Sequence, residues 1–322
     1  MTDSLILILP VFLILGFGVV LDIAGVLPRQ TGSIIGGYVL YVAMPVLLIR
    51  ILADSSMADL LHGGFWAGMM LCHALIYLGT YAGEFLLARR GHGPAAAIGL
   101  AASSCNVAFI GLPVILSLFP GNREALVAAG LAVITPTVVM IPCQIEMEIL
   151  KRAGGGTGKG MGQLAKAILL NPLMVGTVIG FALSATGVGL WTPLDKAAQM
   201  VGDTTAPCML LALGLDLRDK LRVAVTGNWK ARMPRITAVT VVKLAVNPLL
   251  AWWLLSSFGV EGTWLAVGVI QSGTATALIS YVIAEIYGHA AEEVAMIAVV
   301  TNVLNLASLT VIAGLLRWQG LM

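Results

Sequence analysis

The chain has 322 residues, of which 59% are hydrophobic and only 11% charged, with a net charge of +2. Soluble domains carry about 25% charged residues, so the composition excludes a soluble globular protein, and the small net charge gives no footing for nucleic acid. What remains is an integral membrane protein with little mass outside the bilayer.

The N-terminal Met1-Thr-Asp-Ser has no basic region and the apolar run continues past Val20. This reads as a retained first helix rather than a cleaved signal peptide. A bilayer-spanning helix needs about 20 apolar residues. On that measure the sequence predicts ten spans: Leu5–Leu21, Ile34–Ala53, Gly64–Leu87, Pro94–Phe119, Ala125–Glu148, Lys166–Thr186, Asp195–Asp216, Met233–Ser257, Thr263–Ile286 and Glu293–Leu316. The turns between them are short, apart from the glycine-rich connector Arg152–Gln163 and the basic connector Leu217–Arg232.

Lys and Arg concentrate in cytoplasmic loops. Thirteen of the eighteen fall on one side of this arrangement, and Arg50, Arg123, Lys196 and Arg317 on the other. Both termini are therefore expected outside the cytoplasm, in a multi-pass protein of the cell's inner (plasma) membrane. Divided at the glycine-rich connector, the ten spans form a repeat over residues 1–150, a cytoplasmic linker over 151–165 and a second repeat over 166–322. Five spans are an odd number, so the second repeat enters from the opposite side. The expected fold is all-α, with ten transmembrane helices in two inverted five-helix repeats.

Two spans carry interruptions. In the fourth, Asn106-Val-Ala-Phe-Ile-Gly-Leu-Pro113 places Asn106, a flexible Gly111 and the helix-breaking Pro113 at mid-membrane depth. In the ninth, Gln271-Ser-Gly-Thr-Ala-Thr-Ala277 does the same with Gly273 and a hydroxyl cluster. Broken helices in lipid need neighbours or a water-filled cavity to satisfy their freed backbone groups, and transporters place substrate beside such breaks. The sequence predicts breaks near Gly111–Pro113 and near Gly273–Thr276. Glycine pairs at four-residue spacing, Gly64 and Gly68, Gly79 and Gly83, Gly176 and Gly180, read as helix-packing surfaces.

Other motifs are excluded. Gly154-Gly-Gly-Thr-Gly-Lys-Gly160 has Ala153 where a Walker A motif needs its first glycine and Gly160 where it needs Ser or Thr. The four cysteines, Cys72, Cys105, Cys143 and Cys208, lack disulfide or zinc spacing. No cofactor, metal site or catalytic constellation is expected, which sets aside a membrane-embedded enzyme.

Asn106 followed by Gly111 and Pro113 resembles the fourth span of the auxin efflux carrier family, which includes plant PIN carriers and bacterial malonate transporters. Asn171-Pro172, Ala206-Pro207 with Leu213-Gly214-Leu215, Lys243 with Pro248, and Ala284-Glu285 with Tyr287 extend the resemblance over nearly the whole chain. It implies helices 4 and 9 crossing at their breaks, a scaffold domain beside a transport domain, and an elevator-type motion that carries organic anions. Asn106 would then line the substrate pocket. Where plant PIN carriers have a proline in the ninth-helix break, this chain has Ala275, which turns the expectation from auxin toward malonate-like carboxylates. Auxin-like acids remain in the same class, and an anion channel or uncoupled facilitator is the alternative.

The candidate substrate-binding residues are Asn106, Gly111, Pro113, Lys243, Gln271, Ser272, Gly273, Thr274 and Thr276. Lys243 lies roughly 15 Å into its span at ~1.5 Å per residue, where a lysine faces a cavity or a partner. It either attracts a substrate carboxylate or donates to broken-helix carbonyls. His73 is a candidate proton carrier because its ordinary pKa lies near neutrality, or else a hydrogen-bonded packing residue. Asn302 and Asn305 are candidate polar contacts in the tenth span. Glu84, Glu146, Glu148 and Asp216 sit near cytoplasmic span ends, so the coupling ion, H⁺ or Na⁺, stays open. The expected partners are a small organic anion and lipid, with a homodimer as a candidate assembly.

Overall fold

The computed structural model describes the chain except residues 1, 154–161, 163–165, 167–168 and 225–228. The glycine-rich connector with Lys159, and the side chains of Arg218, Lys220, Arg222 and Lys230, fall outside what is described. The protein is all-helical, with 82% of residues in helices and, among the described residues, no strand.

In chain order the helices are α1 (Thr2–Ala24), α2 (Thr31–Ala53), α3 (Met57–Leu87), α4 (His92–Ser103), α5 (Val107–Leu118) and α6 (Arg123–Ala153). They continue with α7 (Pro172–Thr186), α8 (Thr192–Leu217), α9 (Arg232–Ser257), α10 (Gly262–Ser272), α11 (Ile279–Tyr287) and α12 (Ala291–Trp318). Seven of these, α1, α2, α3, α6, α8, α9 and α12, contain segments long and apolar enough to cross a membrane. The apolar α7 is shorter, and α4 with α5, and α10 with α11, are the halves of interrupted segments.

Three of the prolines within helical segments share one local solution. A proline inside a helix lacks an N–H and its ring clashes with the carbonyl one turn back. In three helices a five-residue π turn ends two positions before the proline: Val39–Ala43 before Pro45, Val107–Gly111 before Pro113, and Val242–Val246 before Pro248. The wider turn shifts hydrogen bonds to the fifth residue back, as in Gly111 N to Asn106 O at 3.0 Å, and relieves the clash without ending the helix.

Pro113 therefore does not break the fourth segment, contrary to the sequence expectation. The break lies earlier, at Ser104–Asn106, where Ser104 is extended (φ −77, ψ 111) and Asn106 caps α5. Gly111 and Pro113 lie within continuous helix. The ninth segment breaks where expected, over Gly273–Leu278 between α10 and α11.

The helices pack in two groups. Helices α1, α2, α7 and α8 form one chain of packed neighbours and α3, α4, α6 and α9 to α12 the other group, with α5 between them and α8 also packed on α12. Close approach in the first group depends on glycine. A Cβ on Gly176 would press on Pro45, and one on Gly180 on Leu52. Gly64 and Gly68 play the same part against Phe258 and Leu255 in the second group. Gly79 and Gly83 do not, because no atom lies within 4 Å of where their Cβ would stand.

Charged residues bind the second group at one end. Arg90 meets Glu293 at 2.5 Å, and Arg235 bridges Glu84 at 3.1 Å and Glu293 at 3.2 Å. Arg232 pairs with Glu292. These contacts tie the ends of α3, α9 and α12 to the start of α4. At the opposite end Arg50 pairs with Asp195 at 2.7 Å within the first group, while Arg123 of α6 reaches Asp54, just past α2, at 3.3 Å across the groups.

Candidate functional site

The two breaks meet. Asn106 N–H donates to Ala275 O at 2.9 Å, and Ala277 N–H donates to Ser104 O at 3.0 Å. Cys105 and Thr276 thus face each other as an isolated antiparallel bridge. Each break supplies the hydrogen-bond partners that the other lost, as non-helical backbone in a membrane requires. Thr276 adds a side-chain bond from its hydroxyl to Ala101 O at 2.9 Å.

Helix α12 clamps the ninth-segment break from behind. Asn305 accepts from Ala275 N at 3.0 Å through Oδ1 and donates to Gly273 O at 2.9 Å through Nδ2. Thr301 accepts from Thr276 N at 3.1 Å. Thr301 escapes sequence reasoning, because a threonine in an apolar helix carries no local mark of its partner. Asn302 bonds only within its helix, from Nδ2 to Ala298 O at 2.7 Å.

Beside the crossing lies a cavity of about 550 Å³, running from Ser104–Phe109 and Ala277–Ile279 to Ser33 near the start of α2 and Asp216 near the end of α8. Both helix groups line it, with α2, α7 and α8 from the first, α6 and α11 from the second, and α5 between them. Most of the wall is apolar. Polar groups come from Ser33, Ser104, Asn106, Thr137, Asn171 and Asp216, with Cys105 among them, and among the described residues no Lys or Arg is in the lining.

Four helices begin at this cavity. Asn106 caps α5, accepting from Phe109 N at 3.2 Å, and Asn171 caps α7, accepting from Leu173 N at 2.9 Å. The regular part of α6 restarts at Thr137 after an irregular turn at Val133–Pro136, and α11 starts at Ile279. The first turns of all four border the cavity. A helix N-terminus presents free N–H groups and partial positive charge. At the α6 restart and at α11 the first N–H groups already donate within their own turns, as Thr137 N does to Ile134 O and Ser280 N to Ala277 O, so the starts of α5 and α7 are the ones that favour an anion without a cationic side chain. The Thr135-Pro136-Thr137 stretch was legible in the sequence as a third proline-and-hydroxyl interruption, and it would have located this wall.

Asn106 is the one expected site residue in the lining. Its Nδ2 is buried and has no hydrogen-bond partner, an unmet donor that costs about 1–3 kcal/mol. The other expected site residues lie behind this wall. Ser272 Oγ bonds to Val269 O and Thr274 Oγ1 to Gln271 O, both at 2.8 Å. Gln271 and Gly273 are buried beside α5 and Ile312 respectively, and Gly111 and Pro113 line α5 away from the cavity.

Lys243, fully buried in the π turn of α9, also lies outside the lining. Its Nζ donates to Cys105 Sγ at 2.8 Å and to Ser272 O at 3.3 Å. His73, fully buried on α3, meets Ser103 O at 3.1 Å through Nδ1 and Thr135 Oγ1 at 3.2 Å through Nε2. It joins α3 to the end of α4 and to the α6 interruption.

Comparison with known proteins agrees with this architecture. The sequence profile described as "Membrane transport protein" matches residues 3–153 and 160–313. A Rhizobium meliloti (strain 1021) protein named "Putative malonate transporter" is 23% identical over 304 residues, covering 90% of this chain and 88% of that protein. A Methanothermobacter thermautotrophicus protein named "Uncharacterized transporter" is 24% identical over 287 residues, covering 86% of each. The protein is a multi-pass membrane protein, and the chain belongs to the auxin efflux carrier family of membrane transport proteins.

Proposed function

We propose that the protein is a secondary carrier of small organic anions, with malonate-like dicarboxylates as the leading substrates. The observation that carries this is the cavity bordered by four helix starts, with the unpaired Asn106 Nδ2 in its wall. A carboxylate oxygen supplies the acceptor that Nδ2 lacks, and the peptide N–H groups stabilise its charge. The malonate name borne by one relative points to the same class.

The mechanism we infer is alternating access of the elevator type. The α1, α2, α7 and α8 group is the scaffold, and the crossing travels with the other group. The fold reading is ten membrane passages in two inverted repeats, in the plasma membrane, with both termini outside the cytoplasm. The basic bias of the connectors supports that orientation, and it makes the cavity inward-facing. A channel reading has less support, because the crossing backbones and the buried residues behind them close the far side of the cavity.

Reconstitution into proteoliposomes tests the proposal. Internal unlabelled malonate is expected to accelerate uptake of labelled malonate, with saturation. Conductance that rises without saturation and without counterflow identifies a channel instead.

A further inference from the structure

Cys105 sits in the break of the fourth segment, with the cavity on one side and Lys243 on the other. Its sulfur is nearly enclosed by donors. Lys243 Nζ stands 2.8 Å away, Asn247 Nδ2 3.5 Å and His73 Nδ1 3.9 Å. Among the described residues no carboxylate lies within ion-pair distance of Lys243. A buried ammonium in a membrane interior needs a counter-charge, and among the described residues the ionisable atom bonded to Lys243 Nζ is Cys105 Sγ.

The surroundings accommodate the sulfur in both protonation states. As a thiolate it accepts from Lys243 and Asn247. As a thiol it has the Ser272 carbonyl 3.4 Å away to receive its hydrogen. The other titratable groups facing it are His73 and, through Asn247 Oδ1 at 3.2 Å, Cys72. The Ser103 carbonyl can only accept, so His73 Nδ1 carries the hydrogen and donates it there, with the sulfur 3.9 Å from the same nitrogen.

We propose that the Cys105–Lys243 pair is the proton-coupling site of the carrier, loading about one proton with each anion by charge balance. This rests on the anion-carrier reading above. In the empty state the pair is a thiolate and an ammonium, with no net charge. An anion entering beside Asn106 is adjacent to the thiolate and repels it. A hydronium ion reaching the cavity delivers the proton: its O–H bond breaks as the S–H bond forms, water leaves, and the Lys243 ammonium is freed to balance one charge of the anion. With a monocarboxylate the occupied crossing is again neutral, and with the malonate dianion it carries one net negative charge instead of two, so the pair lowers the charge that moves through the membrane by one per cycle. The anion's release on the far side returns the proton.

Two measurements on the full-length purified protein test this. The first is calorimetric titration with sodium malonate in buffers of different ionisation heat. Wild type is expected to take up about one proton per malonate bound, and Cys105→Ser, which keeps a small polar group but no readily ionised one, close to none. Unchanged proton uptake in Cys105→Ser overturns the proposal. The second needs no anion and follows alkylation of Cys105 by iodoacetamide at neutral pH. Lys243→Met is expected to slow it roughly tenfold or more, since the thiolate is the reactive form and loses its cation. Equal rates in the two proteins overturn the ion pair. A wild type that binds no malonate refutes the anion reading, and the alkylation result still decides the state of the pair.

Discussion

Gln271 of α10 lies so close against Gly111 of α5 that a Cβ at position 111 would overlap its Oε1. The glycine is there for a close approach between the two halves of the crossing, not for flexibility. Its backbone is ordinary right-handed helix, with φ −60 and ψ −51.

Gly111→Ala separates these two roles. Alanine stabilises a helix by about 1 kcal/mol over glycine. Here we expect a net loss of about 1–3 kcal/mol, because the neighbouring side chain must be displaced in a packed interior. Gln271→Ala in the same background should restore most of it. The check is a double-mutant cycle from unfolding in detergent, and additive effects would break the assigned contact.

Asn106 serves through both ends of its amide. Asn106→Asp keeps the Oδ1 cap on Phe109 N but replaces the unpaired donor with negative charge. We expect it to fold and to bind malonate at least tenfold more weakly, a loss of about 1.4 kcal/mol or more. Asn106→Ala loses the cap as well, which costs about 1 kcal/mol of stability. Thermal stability and malonate titration measured together on both variants distinguish the two contributions.

Asn305 holds two backbone groups of the ninth-segment break. Asn305→Ala leaves Ala275 N and Gly273 O without these partners in a buried setting, at about 1–3 kcal/mol per group. Asn305→Asp retains the acceptor for Ala275 N and should be less damaging. Unfolding midpoints in detergent give the order, and equal stability of Asn305→Ala and wild type would remove the clamp.

The Arg123–Asp54 pair joins the two helix groups at the end away from the cavity, with both side chains mostly exposed. Such a pair contributes about 0.2–1 kcal/mol. Arg123→Ala should therefore leave overall stability nearly unchanged. In an elevator it should shift the population toward the outward state by up to about fivefold, lowering alkylation of Cys105 by an impermeant reagent from the cavity side. A charge exchange, Arg123→Asp with Asp54→Arg, should restore the wild-type rate.

The sequence by itself determined the class of protein and the location of its unusual features. Apolar runs of membrane length are a local property, since a bilayer leaves a long apolar segment little choice but helix. Polar residues at mid-span depth, Asn106 and Gln271–Ala277, marked the segments that meet. Tertiary structure decided which atoms meet. Proline and glycine suggested a break at Gly111–Pro113, but a π turn absorbs Pro113, and the helix instead ends at Ser103. It ends there because Ala275 and Ala277, about 170 residues away, offer the backbone partners that lipid cannot. The same reason hid the environment of Lys243. Its depth in α9 is written in the order of residues, whereas its bond to the Cys105 sulfur exists only because packing brings the break between α4 and α5 against α9. Only packing, too, placed four helix starts around one cavity, and an electrostatic site made of peptide groups leaves almost no trace in side-chain chemistry.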